Sequence, residues 1–403
     1  MAVTLNRRSF LAGALTAPGL ASQAAVATDE EIRRSDPILD IHVHLFGVGE
    51  GGTGCRISKP ITDGWQFHFL VGALRLREKG KTLDERYEQV LVEQVEGSGL
   101  SKAAILGQDA VYDHRGRPDW KRTSFYVPND YVFAVVARHA ETMIPCPSIN
   151  PDRADALDEL ARCHQKGARL FKIHPPTQGV DVADRKHKAF FRGCTELDMV
   201  VLVHTGHEHS APVIDKKLAG PRRLEFALDQ GCTVVACHAG TGWKTDTPDQ
   251  LPEFVHLLKR YPKLWGDTAV LGSAGRVHDF IRLLKDPFVR DRLLHGSDFP
   301  FPATPTAFAA RIGAEAAQRI DRERNWLKKD LDLKEALGVG LASAHRAYEV
   351  AKLVGAPQRD PALVPVRQPG LPCRPSSVQS SRSGRERRWE RKPVGRKRSR
   401  PAA

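Results

Sequence analysis

Beyond its N-terminus the chain contains no apolar run of about 20 residues, so no stable membrane anchor is expected from its body. No Gly-x-Gly-x-x-Gly sequence follows the first strand-like segment, which argues against a dinucleotide-binding fold. Cysteine pairs of the Cys-x-x-Cys type are also missing. The seven cysteines, Cys55, Cys146, Cys163, Cys194, Cys232, Cys237 and Cys373, are odd in number and scattered. That distribution excludes a zinc ribbon and gives no sign of a disulfide framework; buried free thiols are expected. There is no internal repeat, so a solenoid is excluded. A balanced charge is lacking too, but only at one end. The formal net charge is +13, and residues 358–403 carry 13 Arg or Lys against 3 acidic residues, leaving about +3 for everything else.

Two terminal segments differ in character from the middle. Residues 1–27 place Arg7 and Arg8 before Ser9, Phe10 and Leu11, then an Ala-rich apolar stretch, then Ala25-Val26-Ala27. This resembles a twin-arginine export signal with a small-residue cleavage site. Passage through the export machinery and a periplasmic or secreted enzyme are expected. Residues 356–403 are rich in Pro, Ser and Arg with few large apolar side chains, and are read as a basic disordered tail. Nucleic-acid binding would rest on this tail alone; an extension without a role of its own is the favoured reading.

Residues 37–355 hold the rest. Eight short apolar runs alternate with helical patterns: 38–46, 102–108, 143–150, 168–174, 200–205, 233–239, 264–270 and 293–298. Continuous rather than alternating apolar runs suit a parallel sheet covered on both faces. Helical patterns fall at 83–95, 154–165, 251–260 and 277–285, with a closing helix at 342–354. Eight such units in series predict an α/β fold of the (β/α)8 TIM-barrel type, which takes about 250 residues. The stretch from Gly47 to Gly80 is a long insertion after the first strand. Arg56, Trp65 and His68 within it are guesses, from position alone, at substrate contacts.

Polar side chains that could ligate an ion interrupt five of these runs at the same, C-terminal end. His42 and His44 close the first run in LDIHVHLFG; Lys172 and His174 close the fourth in LFKIHPP. His204 closes the fifth in VVLVHTG, His238 the sixth in VVACHAG, and Asp298 the eighth in LLHGSDFPF. Residues i and i+2 of a strand share a face, so His42 and His44 can reach one ion. Each unpartnered buried polar group costs about 1–3 kcal/mol, and a shared cation relieves several at once. His207 and His209 are expected at the rim, and Asp267, in the seventh run, is a candidate for orienting a ligand.

DIHVH, the strand-five and strand-six histidines and GSDFPF together resemble the amidohydrolase superfamily. The resemblance spans about residues 37–353 and is closest to the amidohydrolase-related branch, which includes aminocarboxymuconate-semialdehyde decarboxylase and resorcylate decarboxylases. It implies one divalent metal, Zn²⁺ or similar, on His42, His44, His204 and Asp298. It implies His238 as general base or charge stabiliser, with Asp298 also accepting a proton. Lys172 stays open: in binuclear relatives it would be carboxylated and bridge two metals, with His204 and His238 on the second, or it could pair with a substrate carboxylate. His174 is a possible additional pocket residue. The expected reaction is hydrolysis of a C–N or C–O bond in a small molecule by metal-activated water. The alternative is nonoxidative decarboxylation or hydration of an aromatic or unsaturated acid. A homo-oligomer is possible.

Overall fold

The computed structural model describes residues 36–351. The export signal and the basic tail expected from the sequence lie outside the described residues, as does the last part of the closing helix.

Eight parallel strands form the framework: β1 (Leu39–His44), β2 (Lys102–Leu106), β3 (Met143–Cys146), β4 (Leu170–Ile173), β5 (Val200–His204), β6 (Thr233–Cys237), β7 (Leu264–Asp267) and β8 (Leu293–Leu294). They pair in sequence order as a three-stranded arc, β1–β3, and a five-stranded arc, β4–β8. Two seams join the arcs. A parallel bridge from Ser148 to Lys172 links the end of β3 to β4. On the other side, Ile41 N donates to His295 O (3.0 Å), Asp298 N to His42 O (2.9 Å) and His44 N to Phe299 O (2.9 Å). These bonds close the sheet on itself, and the expected (β/α)8 barrel is what the strands form. Every strand is shorter than its apolar run; His42, His44, Lys172 and His204 stay within their strands, whereas His174, His238 and Asp298 fall just beyond theirs.

Alternation along each strand separates two cores. Leu39, Ile41, Ala104, Leu106, Cys146, Leu170, Val200, Leu202, Val235, Cys237 and Leu294 form one cluster, capped by Ala347 and Ala351 of the last helix. Their neighbours Phe171, Ile173, Val201, Val203, Val234 and Ala236 pack instead against the surrounding helices. Burial of both faces explains the continuous apolar runs, and each large side chain so buried contributes roughly 1.5–3 kcal/mol. The helix Leu251–Arg260 shows how the outer layer attaches. Leu251, Phe254, Leu257 and Leu258 recur at helical spacing and are all buried. Leu83–Glu96 starts at a capping box in which Thr82 and Glu85 satisfy each other's backbone N–H groups.

β1 departs from regular pairing. Asp40 lies opposite Ala103 but Val43 lies opposite Ile105, so three steps on β1 match two on β2. Ile41 belongs to the inner cluster and Val43 to the outer one. The bulge absorbs the extra residue, and bulges of this kind re-aim side chains beside active sites. Here the re-aimed residue is His42.

The long insertion after β1 is not a bare loop. It carries a short antiparallel pair, Arg56–Ile57 with Phe125–Tyr126, and the helix Trp65–Ala73. Among the described residues no helix is long and apolar enough to cross a membrane. The six described cysteines are all buried and free, as the scattered pattern predicts.

Candidate active site

The strand ends converge on one chamber at the C-terminal mouth of the barrel. His44, Lys172, His174, His204, His238 and Asp298 all line it. Four non-glycine residues around it hold left-handed backbone: His238 (φ 61°), Ala239 (φ 51°), Val270 (φ 61°) and Asp298 (φ 67°). Such positions cost on the order of 1–3 kcal/mol each and cluster where function over-determines the backbone. They lie just past β6, β7 and β8, where the chain must turn sharply to present His238 and Asp298.

His42, His44 and Asp298 form a tight triangle. The Nε2 atoms of His42 and His44 are 3.3 Å apart, and Asp298 Oδ1 lies 3.2 Å from the first and 3.1 Å from the second. Donors at 2.0–2.2 Å from a tetrahedral ion stand about 3.4 Å from one another, so this triangle has the dimensions of one face of such a site. His42 is completely buried, and burial, reinforced by the positive charge of Lys172, lowers its pKa to about 3. Burial pushes the Asp298 carboxyl up, but the imidazoles of His42, His238 and His44 hold it well below the usual carboxylate range.

Asp267 ties the arrangement together. Its Oδ2 accepts from His42 Nδ1 at 2.7 Å, while its Oδ1 accepts the backbone N–H of His238 (2.7 Å) and of Ala269 (3.1 Å). A carboxylate can only accept, so neutral His42 carries its proton on Nδ1 and turns a lone pair on Nε2 toward His44 and Asp298. The same reasoning applies to His238. Its Nδ1 lies 3.1 Å from the carbonyl of Ala269, which leaves Nε2 as the acceptor. Burial lowers the His238 pKa, which favours that neutral form. Lys172 is buried inside the barrel, with Nζ 3.0 Å from His42 Nε2 and 3.1 Å from Cys237 Sγ. Within the group His42–Cys237–Asp267, His42 is thus bonded to Asp267, and Lys172 bridges His42 to Cys237.

His204, expected as a fourth ligand beside His42, His44 and Asp298, lines the same chamber, with its ring 4.7 Å from that of His238. It stacks on His174 with ring centroids 4.1 Å apart, and its Nε2 lies 3.7 Å from Glu208 Oε2. His174 Nε2 is 3.1 Å from the same oxygen. Sequence reasoning missed Glu208. It sits in a loop between two rim histidines, and only the loop's path returns its carboxylate to the chamber. That path needs Gly206, at φ +87°, where a Cβ would stand 2.2 Å from the Thr241 carbonyl. His207 and His209 stay at the rim as expected, bonded to Pro248 O (3.0 Å) and Asp246 (2.8 Å).

The opposite wall is apolar: Phe46, Ile57, Ile61, Phe67, Leu70, Phe125, Pro300 and Phe301, with Gln66 and Gln108. The cavity is about 130 Å³, slightly smaller than the roughly 150 Å³ apolar cavity that binds benzene, and it is open to solvent on one side. The three insertion residues guessed as substrate contacts are not among the lining residues. Trp65 is 73% exposed, and Arg56 lies over the ring of Trp120 at 4.4 Å. His68 faces the Phe67 ring edge-on. The helix Trp65–Ala73 instead presents Gln66, Phe67 and Leu70 to the chamber.

A barrel whose mouth carries this His/Asp constellation defines a (β/α)8 enzyme. The chain belongs to the amidohydrolase family, whose model matches residues 39–340. No curated protein matches the sequence significantly. Among solved structures, it is similar to an uncharacterised TIM-barrel protein from Bordetella bronchiseptica, at 18% identity and TM-score 0.50, covering 78% of this chain and 99% of that one. A candidate 2-pyrone-4,6-dicarboxylic acid hydrolase from Pseudomonas putida shares 16% identity at TM-score 0.45 (78% and 97% covered). A dihydroxybenzoic acid decarboxylase from Polaromonas sp. JS666, solved with manganese and the inhibitor 2-nitroresorcinol, shares 15% identity at TM-score 0.46 (80% and 98% covered).

Proposed function

We propose that this enzyme hydrolyses a C–O or C–N bond of a small molecule carrying one flat apolar ring, using a divalent cation on His42, His44 and Asp298. Two imidazoles and a carboxylate are a donor set suited to Zn²⁺. When bound, such an ion supplies Lewis acidity that polarises a carbonyl oxygen and acidifies water. The chain's own residues do the rest. Asp267 fixes the His42 ring so that its Nε2 lone pair faces the site. The apolar wall of Phe46, Phe67, Phe125 and Phe301 takes the ring and excludes bulk water. His238 accepts a proton from the attacking water at Nε2 and returns it to the departing oxygen or nitrogen as the acyl bond breaks. The observation that carries this reading is the hydrogen bond from His238 Nδ1 to the Ala269 carbonyl, which leaves a proton acceptor, not a donor, facing the chamber.

A second reading, nonoxidative decarboxylation of an aromatic acid, is favoured by the ring-sized apolar chamber. There the carbon–carbon bond to the carboxylate breaks, CO2 leaves, and the ring carbon takes a proton. Aryl lactones, esters and amides, together with aromatic acids, turned over in ¹⁸O-labelled water separate the two. Hydrolysis puts one ¹⁸O into the product acid; release of CO2 from the aromatic acids, with no turnover of the lactones, esters or amides and no ¹⁸O in the organic product, overturns it. Export of the folded enzyme by residues 1–27 belongs to the same proposal, and activity in a periplasmic fraction that is lost on Arg7→Lys, Arg8→Lys substitution tests it.

A further inference from the structure

We propose that the buried pair Lys334–Asp330 is a positioning device for Asp298, acting from outside the barrel through the carbonyl of Gly296. The inference rests on the reading of Asp298 as a ligand of a divalent cation beside His42 and His44. Lys334 and Asp330 stand one turn apart on the helix Trp326–Ala336. Lys334 is completely buried and Asp330 is 3% exposed. The ammonium pairs with Asp330 Oδ2 and donates to the Gly296 carbonyl at 2.6 Å. The cost of taking two charges out of water can exceed what their attraction returns, and apolar side chains of similar volume often stabilise a fold equally well. Stability alone therefore does not account for the pair, whereas the carbonyl it holds does.

Gly296 lies two residues before Asp298 in HGSDFP. Asp298 sits in the left-handed region (φ 67°), which a non-glycine residue holds only when its surroundings fix it. Two of the bonds that fix it come from β1, the strand that also carries His42 and His44. Asp40 Oδ1 accepts the Ser297 N–H (3.0 Å), and the His42 carbonyl accepts the Asp298 N–H (2.9 Å). Lys334 holds the other side of the turn. Thr268 Oγ1 also reaches the Gly296 carbonyl, at 3.4 Å, so the ammonium supplies the shorter and charge-assisted bond. Asp330 aims that ammonium, and Gly272 leaves it the room, since a Cβ there would stand 2.6 Å from Asp330 Oδ1. Release of the Gly296 peptide would let Asp298 swing out of the triangle it forms with the two imidazoles.

The test is a thermodynamic cycle on Zn²⁺ binding by the full-length protein, read as Kd by competition with a chromophoric chelator. Lys334→Met and Asp330→Leu are introduced together, so that no charge is left buried alone. Thermal unfolding checks the fold; Lys334→Met with Asp330→Asn takes their place if that protein is unfolded. With the carbonyl released, Kd is expected to rise by at least about tenfold, as for other partners that orient a metal ligand. In an Asp298→Asn background the same double substitution is expected to change Kd by less than about twofold, because the residue it acts through is gone. A purely structural pair would weaken binding equally in both backgrounds. A wild-type Kd in the double variant, or an equal loss with and without Asp298, overturns the proposal and leaves the cation reading in place. A wild type that binds no Zn²⁺ overturns the cation reading and this proposal with it.

Discussion

Replacing Asp267 by Asn would change one atom and break the logic of the site. The carboxylate makes three contacts: His42 Nδ1 at 2.7 Å through one oxygen, and the amides of His238 and Ala269 through the other. The two amides can only donate, so the Asn oxygen must stay on their side. Its NH₂ then faces His42 Nδ1 and donates to it. His42 must accept there, which moves its own proton to Nε2 and removes the lone pair that would hold an ion. Loss of such an orienting partner typically lowers metal affinity 10- to 100-fold, about 1.4–2.7 kcal/mol. Competition against a chromophoric chelator, run on wild type and Asp267→Asn, measures this directly. The affected ion should be the one that Asp298→Asn also loses. An unchanged Kd in a folded Asp267→Asn protein would refute the tautomer argument and the ligand role of His42 with it.

His238→Asn should lower turnover by about 10²–10⁴ while leaving ion content unchanged, since His238 is assigned to proton transfer; parallel kinetics and elemental analysis check both halves. Gly296→Ala should destabilise by about 1–3 kcal/mol, because the new Cβ would stand 2.8 Å from the His42 Cβ, and calorimetry reads the loss as a lowered Tm. The ion-free protein should lose stability on acidification. His42 titrates at about 3 in the fold against about 6.5 unfolded, so below pH 6.5 the unfolded chain binds a proton the native one refuses. The stability is fully present above pH 6.5 and falls by about 1.4 kcal/mol per pH unit from this residue as pH drops toward 3. Buried His204 and His295, both held well below their ordinary values by desolvation, act in the same direction. A Tm that stays constant between pH 7 and 5 would contradict this.

The strand-end histidines and Asp298 were legible in the sequence because each interrupts an apolar run, and apolar runs tolerate polar residues only where something partners them. The barrel followed from the number and continuity of those runs. The β1 bulge was not legible, since DIHVH reads equally well as a regular strand; only its pairing with β2 reveals the extra residue. Glu208 was hidden for another reason. Its neighbours are polar loop residues, and a carboxylate between two histidines at the rim carries no periodic signal. His204 was visible as a site residue, but its closeness to Glu208 was not, since that depends on where the loop sends the carboxylate. The ring wall was not legible: Arg56, Trp65 and His68 were guessed from position alone, whereas helical geometry turns Phe67 and Leu70 inward.

The wall and the ligands belong to different parts of the chain. His42, His44, His204, His238 and Asp298 stand at strand ends, whereas Ile57, Ile61, Phe67 and Leu70 belong to an insertion whose only sheet pairing among the described residues is the two-residue link to Phe125–Tyr126. Substrate range can therefore drift without touching the chemistry. A library confined to those four insertion positions would sample new ring shapes while every ligand and the proton acceptor stay in place.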